Sequence, residues 1–231
     1  MTHIILYNDL QTPHQTPPLL QLFPPHYQPI HPTAMSKFHY ANSSDPVPGN
    51  GDDNLPPKFT ITVPSKTDIW AKPPSTTRFN APILYQPIPI SSFQRARVSF
   101  TANWERQYDQ GGLIFVLNDA DGSRKWIKTG IELLDGRPRL STVTCDRAAD
   151  WSLVSVPAGA RGATLEAVRA KDDSLWIYLV EDGGQRTPLR EVTWALETGV
   201  RDLWVGVYGA RPSAEGGDLV VSFADFVLDL V

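Results

Sequence analysis

The chain has 231 residues, 41% of them hydrophobic, and a formal net charge of −4. That balance fits a soluble globular domain with extra sequence attached, and the lack of a basic patch argues against a nucleic-acid partner. No apolar run approaches the roughly 18 residues of a spanning helix, so no membrane partner is expected. The single cysteine, Cys145, excludes an intrachain disulfide and suits a reducing compartment.

In chain order, the first region differs from the rest. Residues 1–57 hold 11 of the 21 prolines, all five histidines, one basic residue (Lys37) and no tryptophan. Such a stretch buries too little apolar surface to offset its ordering entropy, which predicts a disordered Pro-rich N-terminal arm over 1–57. Its opening, "MTHIILYNDL", has no basic n-region and only Ile4, Ile5 and Leu6 as an apolar run, so no secretory signal is read and a cytoplasmic location is expected. Met35 begins "MSKFHY" after a Pro-rich run without structural pattern, which suggests an alternative start there, with residues 1–34 then a gene-model extension. His3, His14, His26 and His31 are irregularly spaced and are not read as a metal tract. No histidine follows His39. A folded region that starts at residue 58 therefore has no Ser-His-Asp or Cys-His mechanism and no histidine-ligated zinc site.

From residue 58 onward the pattern alternates with period two, as half-buried strands do. "KFTITVP" puts Phe59, Ile61 and Val63 on one side, and "RVSFTANW" does the same with Val98, Phe100, Ala102 and Trp104. The prolines of "AKPPSTTRFNAPILYQPIPI" fit loops and edge strands. "GGLIFVLND" is apolar on both sides, as a central strand covered on both faces would be. "WIKTGIEL", "LSTVTCD", "TLEAVRA", "SLWIYLVED", "DLWVGVYGA" and "LVVSFADFVLDL" continue the series. Turn signals separate them at Asp121-Gly122, Asp135-Gly136, Asp182-Gly183-Gly184 and Glu215-Gly216-Gly217. "REVTWALETG" is the one place for a short helical turn. Ten or so short strands with hairpin turns predict an all-β, antiparallel two-sheet sandwich over 58–231.

One strand carries the candidate chemistry. In "WIKTGIEL", Trp126, Lys128, Gly130 and Glu132 share one face, while Ile127, Thr129, Ile131 and Leu133 face a core. Gly130 leaves room for a neighbour or a ligand. Gln110 and Gly112 share a face of the preceding strand, with Asp109 at its mouth and Tyr108 just before it. Ser141 lies on the next strand, and Asp150 and Trp151 follow. A ring that stacks on a pyranose, beside amide, ammonium and carboxylate groups, is what a sugar site needs. The competing reading is a structural network in which Lys128 and Glu132 each pair across to a neighbouring strand and the tryptophans cap the core. Asp109 and Glu132 are the weak candidates for the two carboxyls of a glycoside hydrolase, although the E-x-D-x-x-E strand of laminarinase-type enzymes is absent. Cys145 has no histidine to activate it. Trp176, Tyr178, Trp204 and Tyr208 either fill a core layer or face a groove, and Trp70 and Trp194 read as hydrophobic plugs.

"YDQGGLIF", "WIKTGIE", "LSTVT" and "DWS", in that order, resemble the DUF1349 family, which includes the fungal regulation-of-enolase proteins. "SKTDIWAKP" and "GVYGARPSAEGGDLVVSFADF" resemble its flanking blocks. Gly111 and Ala149 depart from the usual alanine and serine. The resemblance implies a concanavalin A-like jelly roll whose concave sheet holds a ligand, and it implies no reaction. The site expected from the strand faces comprises Tyr108, Asp109, Gln110, Trp126, Lys128, Glu132, Ser141, Asp150 and Trp151, with no metal and no cofactor. The favoured function is a non-catalytic module that binds a carbohydrate or similar polar ligand. The alternative is a regulatory factor with a protein partner and no small ligand.

Overall fold

The computed structural model describes residues 38–49, 54–119, 121–157, 159–197 and 200–231. The chain enters with β1 (His39–Ala41) and β2 (Lys58–Val63), then forms a small hairpin of β3 (Ile69–Lys72) and β4 (Thr76–Phe79). β5 (Ile83–Ile88), β6 (Phe93–Ala102), β7 (Gln110–Asp119), β8 (Arg124–Leu134), β9 (Arg137–Cys145) and β10 (Ala149–Ser155) follow. The last five are β11 (Gly162–Arg169), β12 (Leu175–Val180), β13 (Arg186–Val192), β14 (Val200–Ala210) and β15 (Leu219–Leu230). Among the described residues there is no α-helix, only two single-turn 3-10 segments at Ile90–Ser92 and Asp182–Gly184. Of "REVTWALETG", residues 190–192 end β13 and residues 193–196 form a turn.

Two antiparallel sheets pack face to face, as the jelly-roll expectation requires. One has seven strands in the order β1-β5-β14-β7-β8-β9-β10, and the other has six in the order β13-β12-β11-β6-β15-β2. The alternation in the sequence explains what lies between them. Leu113, Phe115, Ile127 and Ile131 of the first sheet meet Ile61, Val98, Phe100 and Phe223 of the second in one buried cluster. Phe93 and Phe115 bridge the sheets edge to face, with ring centroids 5.6 Å apart. Each such side chain contributes about 1.5–3 kcal/mol of burial.

The outer face of the seven-stranded sheet has a second apolar cluster, which explains why β7 is buried along nearly its whole length. The β3–β4 hairpin lies over that face and packs Ile69 and Ala71 against Ile114, Val116, Trp126 and Tyr208. The sequence shows a strand covered on both sides, and the hairpin is the second cover. At the β8–β9 turn, Asp135 (φ 50°) and Gly136 (φ 71°) both have positive φ, the conformation that a two-residue hairpin favours. Pro87 lies in β5 beyond the reach of β1, which pairs only with residues 83–85, and stands opposite Trp204 of β14.

The expectation of a disordered arm over 1–57 needs correction where the structure describes it. His39–Ala41 pairs with Ile83–Tyr85 as the edge strand β1, and Phe38 is buried in the main core with Val47 and Leu55 packed against it. Those apolar residues are too widely spaced among prolines to make a pattern, yet each finds a place on an existing core. His39 therefore belongs to the folded region, where its ring stands 5.9 Å from that of Tyr85. The expectations for residues 1–37 and 50–53 lie outside the described residues. No helix among the described residues is long and apolar enough to cross a membrane.

Candidate functional site

The β7–β8–β9 register sets the site. Gln110 stands opposite Glu132, Gly112 opposite Gly130, Ile114 opposite Lys128 and Val116 opposite Trp126. On the far side of β8, Gly130 faces Ser141 and Lys128 faces Val143. The polar members of these rows therefore share the outer face. Gly130 is required by backbone and not by a ligand: a Cβ there would stand 2.0 Å from Gly111 O.

A cavity of about 370 Å³ lies where the β3–β4 hairpin ends on this face. The hairpin supplies Asp68, Trp70, Lys72, Thr76 and Arg78, and the sheet side supplies Tyr108, Gln110, Lys128, Glu132 and Trp151. Trp70 and Trp151 meet edge to face at 6.0 Å, and Tyr108 meets Trp151 at 6.4 Å, so one wall is aromatic. The floor is polar. Lys128 Nζ donates to Gln110 Oε1 at 2.5 Å and stands 5.8 Å from the Trp126 ring. Ser141 Oγ donates to Glu132 Oε2 at 2.8 Å and accepts from Trp151 Nε1 at 3.0 Å. Lys128 and Glu132 thus each pair across to a neighbouring strand, and both also open on the cavity.

Burial dominates the titration of this floor. It pushes the Lys128 ammonium below the ordinary lysine range, against the pull of Glu132 and Asp68. It raises the Glu132 carboxyl above the usual carboxylate range, with Lys128 and the Ser141 hydroxyl pulling it back. Tyr208, beneath Gln110, is pushed well above the ordinary phenol value by burial and then by the nearby carboxyls. Burial also raises the Cys145 thiol, which leaves it a core residue.

Five of the nine expected residues line the cavity: Tyr108, Gln110, Lys128, Glu132 and Trp151. Trp126 and Ser141 lie one layer behind them, Trp126 under Lys128 and Ser141 linking Glu132 to Trp151. Two residues are elsewhere. Asp109 is fully buried, and Arg211 grips both its oxygens, at 2.8 Å from Nε and 2.6 Å from Nη2. Its Oδ2 also accepts the N–H groups of Glu105 and Arg106, so it fixes the loop that presents Tyr108 and Gln110. Both oxygens of Asp109 are thus engaged, and it does not line the cavity that Glu132 lines. Asp150 sits on the opposite face of β10 from Trp151 and pairs with Arg190 at 2.6 Å.

The contributions missed from the sequence come from the hairpin. Trp70 is not a plug: it is half-buried and forms part of the aromatic wall. Asp68, Trp70 and Lys72 alternate in "DIWAK", and that period-two pattern was the available signal. Tyr208 is buried in the second apolar cluster beneath the hairpin, as the core-layer alternative had it, whereas Trp176 and Tyr178 stack at 6.0 Å on the six-stranded sheet. Among the described residues, no group of three or more His, Cys, Asp or Glu is placed to hold a metal ion.

The family described as Protein of unknown function (DUF1349) matches residues 52–229. Uncharacterized protein AN7484 of Emericella nidulans is 60% identical over 197 residues, which cover 85% of this chain and 97% of that protein. Regulation of enolase protein 1 of Saccharomyces cerevisiae is 31% identical over 105 residues, 45% of this chain and only 50% of that protein's length. A solved structure described as a functionally unknown protein from Saccharomyces cerevisiae superposes with a TM-score of 0.68 at 26% identity, covering 84% of this chain and 97% of that one.

Proposed function

The chain belongs to the DUF1349 family, and on that premise we propose that it is a binding module which takes a carbohydrate or similar polyhydroxylated ligand on the outer face of its seven-stranded sheet. One observation carries this reading: a cavity of about 370 Å³ in which an aromatic wall of Trp70, Trp151 and Tyr108 meets a polar floor of Gln110, Lys128 and Glu132. Aromatic rings cover the apolar face of a pyranose, and a few fixed polar groups take its hydroxyls. Glu132, held by Ser141, and Gln110, held by Lys128, need no rearrangement to receive them, which lowers the ordering cost of binding.

A thermal-shift screen of the full chain against mono- and oligosaccharides tests this. A ligand at 100 times its dissociation constant stabilises the fold by about 2.7 kcal/mol, a shift of several degrees. Trp151→Ala, which removes a half-buried ring from the wall, abolishes that shift. A flat screen, or a shift unaltered in Trp151→Ala, contradicts the reading.

A second reading rests on the relative named Regulation of enolase protein 1: the same face then holds a protein surface and the polar floor is structural. Titration with purified enolase separates the two. Saturable binding that is lost in Trp151→Ala, together with a flat sugar screen, supports the second reading.

A further inference from the structure

The floor of the cavity holds a lysine with more donors than partners. Lys128 is only 2% exposed, and its ammonium has three N–H donors. One goes to Gln110 Oε1 at 2.5 Å. Among the described residues Lys128 has no other hydrogen bond and no ion pair, and it lines the cavity, so its remaining donors open on the space a ligand fills. Burial disfavours the charged lysine, and Glu132 and Asp68 pull the other way without either forming an ion pair with it, so the arrangement favours an occupant that supplies the missing acceptors.

The other charges point the same way. Lys72 and Arg78 stand at the rim on the hairpin. The two carboxyls of the lining are already served: Asp68 Oδ1 accepts the Ile69 N–H at 2.8 Å and its Oδ2 stands 3.6 Å from Arg78, while Glu132 accepts from Ser141. Burial raises the Glu132 carboxyl above the usual carboxylate range, which weakens its opposition to an anionic ligand. Lys72 and Arg78 at the rim and Lys128 at the floor thus face two carboxyls already engaged, with Lys128 the most buried of the charged side chains in the lining.

We propose that the ligand of this cavity carries a carboxylate, that Lys128 holds that group at the floor, and that the ligand class is a uronic acid or a similar sugar acid lying against the aromatic wall. The inference rests on the reading of the cavity as a sugar site and narrows it. Lys128 stays over the faces of Trp126 and Tyr208, with Nζ 5.8 and 5.9 Å from their ring centroids, so it meets the carboxylate without moving.

Isothermal titration of the full chain with D-glucuronate and D-galacturonate, beside D-glucose and D-galactose, tests it. The uronates bind about ten-fold tighter than their neutral counterparts, as a charge-assisted hydrogen bond in a buried site provides. That preference weakens as ionic strength rises. In Lys128→Met the ratio of uronate to neutral affinity falls toward one, and in Lys128→Arg part of it returns. Lys72→Ala, on the exposed hairpin, lowers uronate affinity several-fold without touching the core. Equal or tighter binding of the neutral sugars overturns the proposal and leaves the sugar reading standing, as does a preference that survives in folded Lys128→Met. Binding of neither class removes the sugar reading along with it.

Discussion

Asp109 and Glu132 are both buried acids, and the structure treats them in opposite ways. Asp109 is held by a two-pronged grip from Arg211, a residue 102 positions away in the chain. Removing one partner of a buried pair strands the other, at a cost of about 3–5 kcal/mol. Asp109→Asn therefore lowers the urea midpoint sharply, and adding Arg211→Met to it costs far less than the sum of the two single changes; additive losses contradict the clamp. Glu132 is kept by a hydroxyl, and its folded-state pKa is raised. A raised carboxyl stabilises the fold fully below its ordinary value of 4.5 and loses that contribution as pH rises through the folded value. Lys128 runs the other way: it is lowered from 10.5, so its contribution is full above that value and is lost as pH falls through the folded one. Glu132→Gln removes the first of these dependences. Its stability relative to the unaltered protein rises as pH goes from about 4 to 8, and a difference that stays constant with pH contradicts the assignment.

Elements, more than residues, decide what the sequence discloses. The face of β8 was legible because strand geometry alone sorts Trp126, Lys128 and Glu132 from Ile127, Ile131 and Leu133. The double cover of β7 was legible as an unbroken apolar run, but its cause was not. "DIWAKPPSTTRF" gives no sign that it folds back over β7 and β8, because that packing is set by Ile69 and Ala71 meeting side chains far along the chain. The fate of Asp109 was hidden for the same reason: no local pattern announces Arg211. β1 is only three residues long, too short for periodicity, yet it edges the sheet. The adjoining Asn42 donates to Phe79 O at 3.1 Å and Ala81 O at 2.9 Å, which ties the end of the hairpin down. A chain that begins at residue 58 lacks this strand and the buried Phe38. Loss of such a ring costs about 3–5 kcal/mol, so its melting temperature falls by several degrees relative to a chain that begins at Met35. Equal melting temperatures contradict a structural role for β1.

At the scale of the whole molecule, the two faces of the seven-stranded sheet divide the work. The inner face closes the sandwich core with the six-stranded sheet. The outer face, half covered by the hairpin, keeps a cavity with buried polar groups at its floor and rings at its wall. On the proposed reading, stability and recognition draw on different side chains of the same strands. The clamp at Asp109 serves the cavity only by holding the loop that carries Tyr108 and Gln110. The measurement that tests this most directly is a tryptophan-fluorescence titration of the full chain with the sugars above, repeated on Trp151→Ala and on Trp176→Ala, whose ring lies on the six-stranded sheet. Binding in the cavity gives a saturable change that disappears in the first variant and persists in the second. No saturable change, or one that survives in Trp151→Ala, contradicts it.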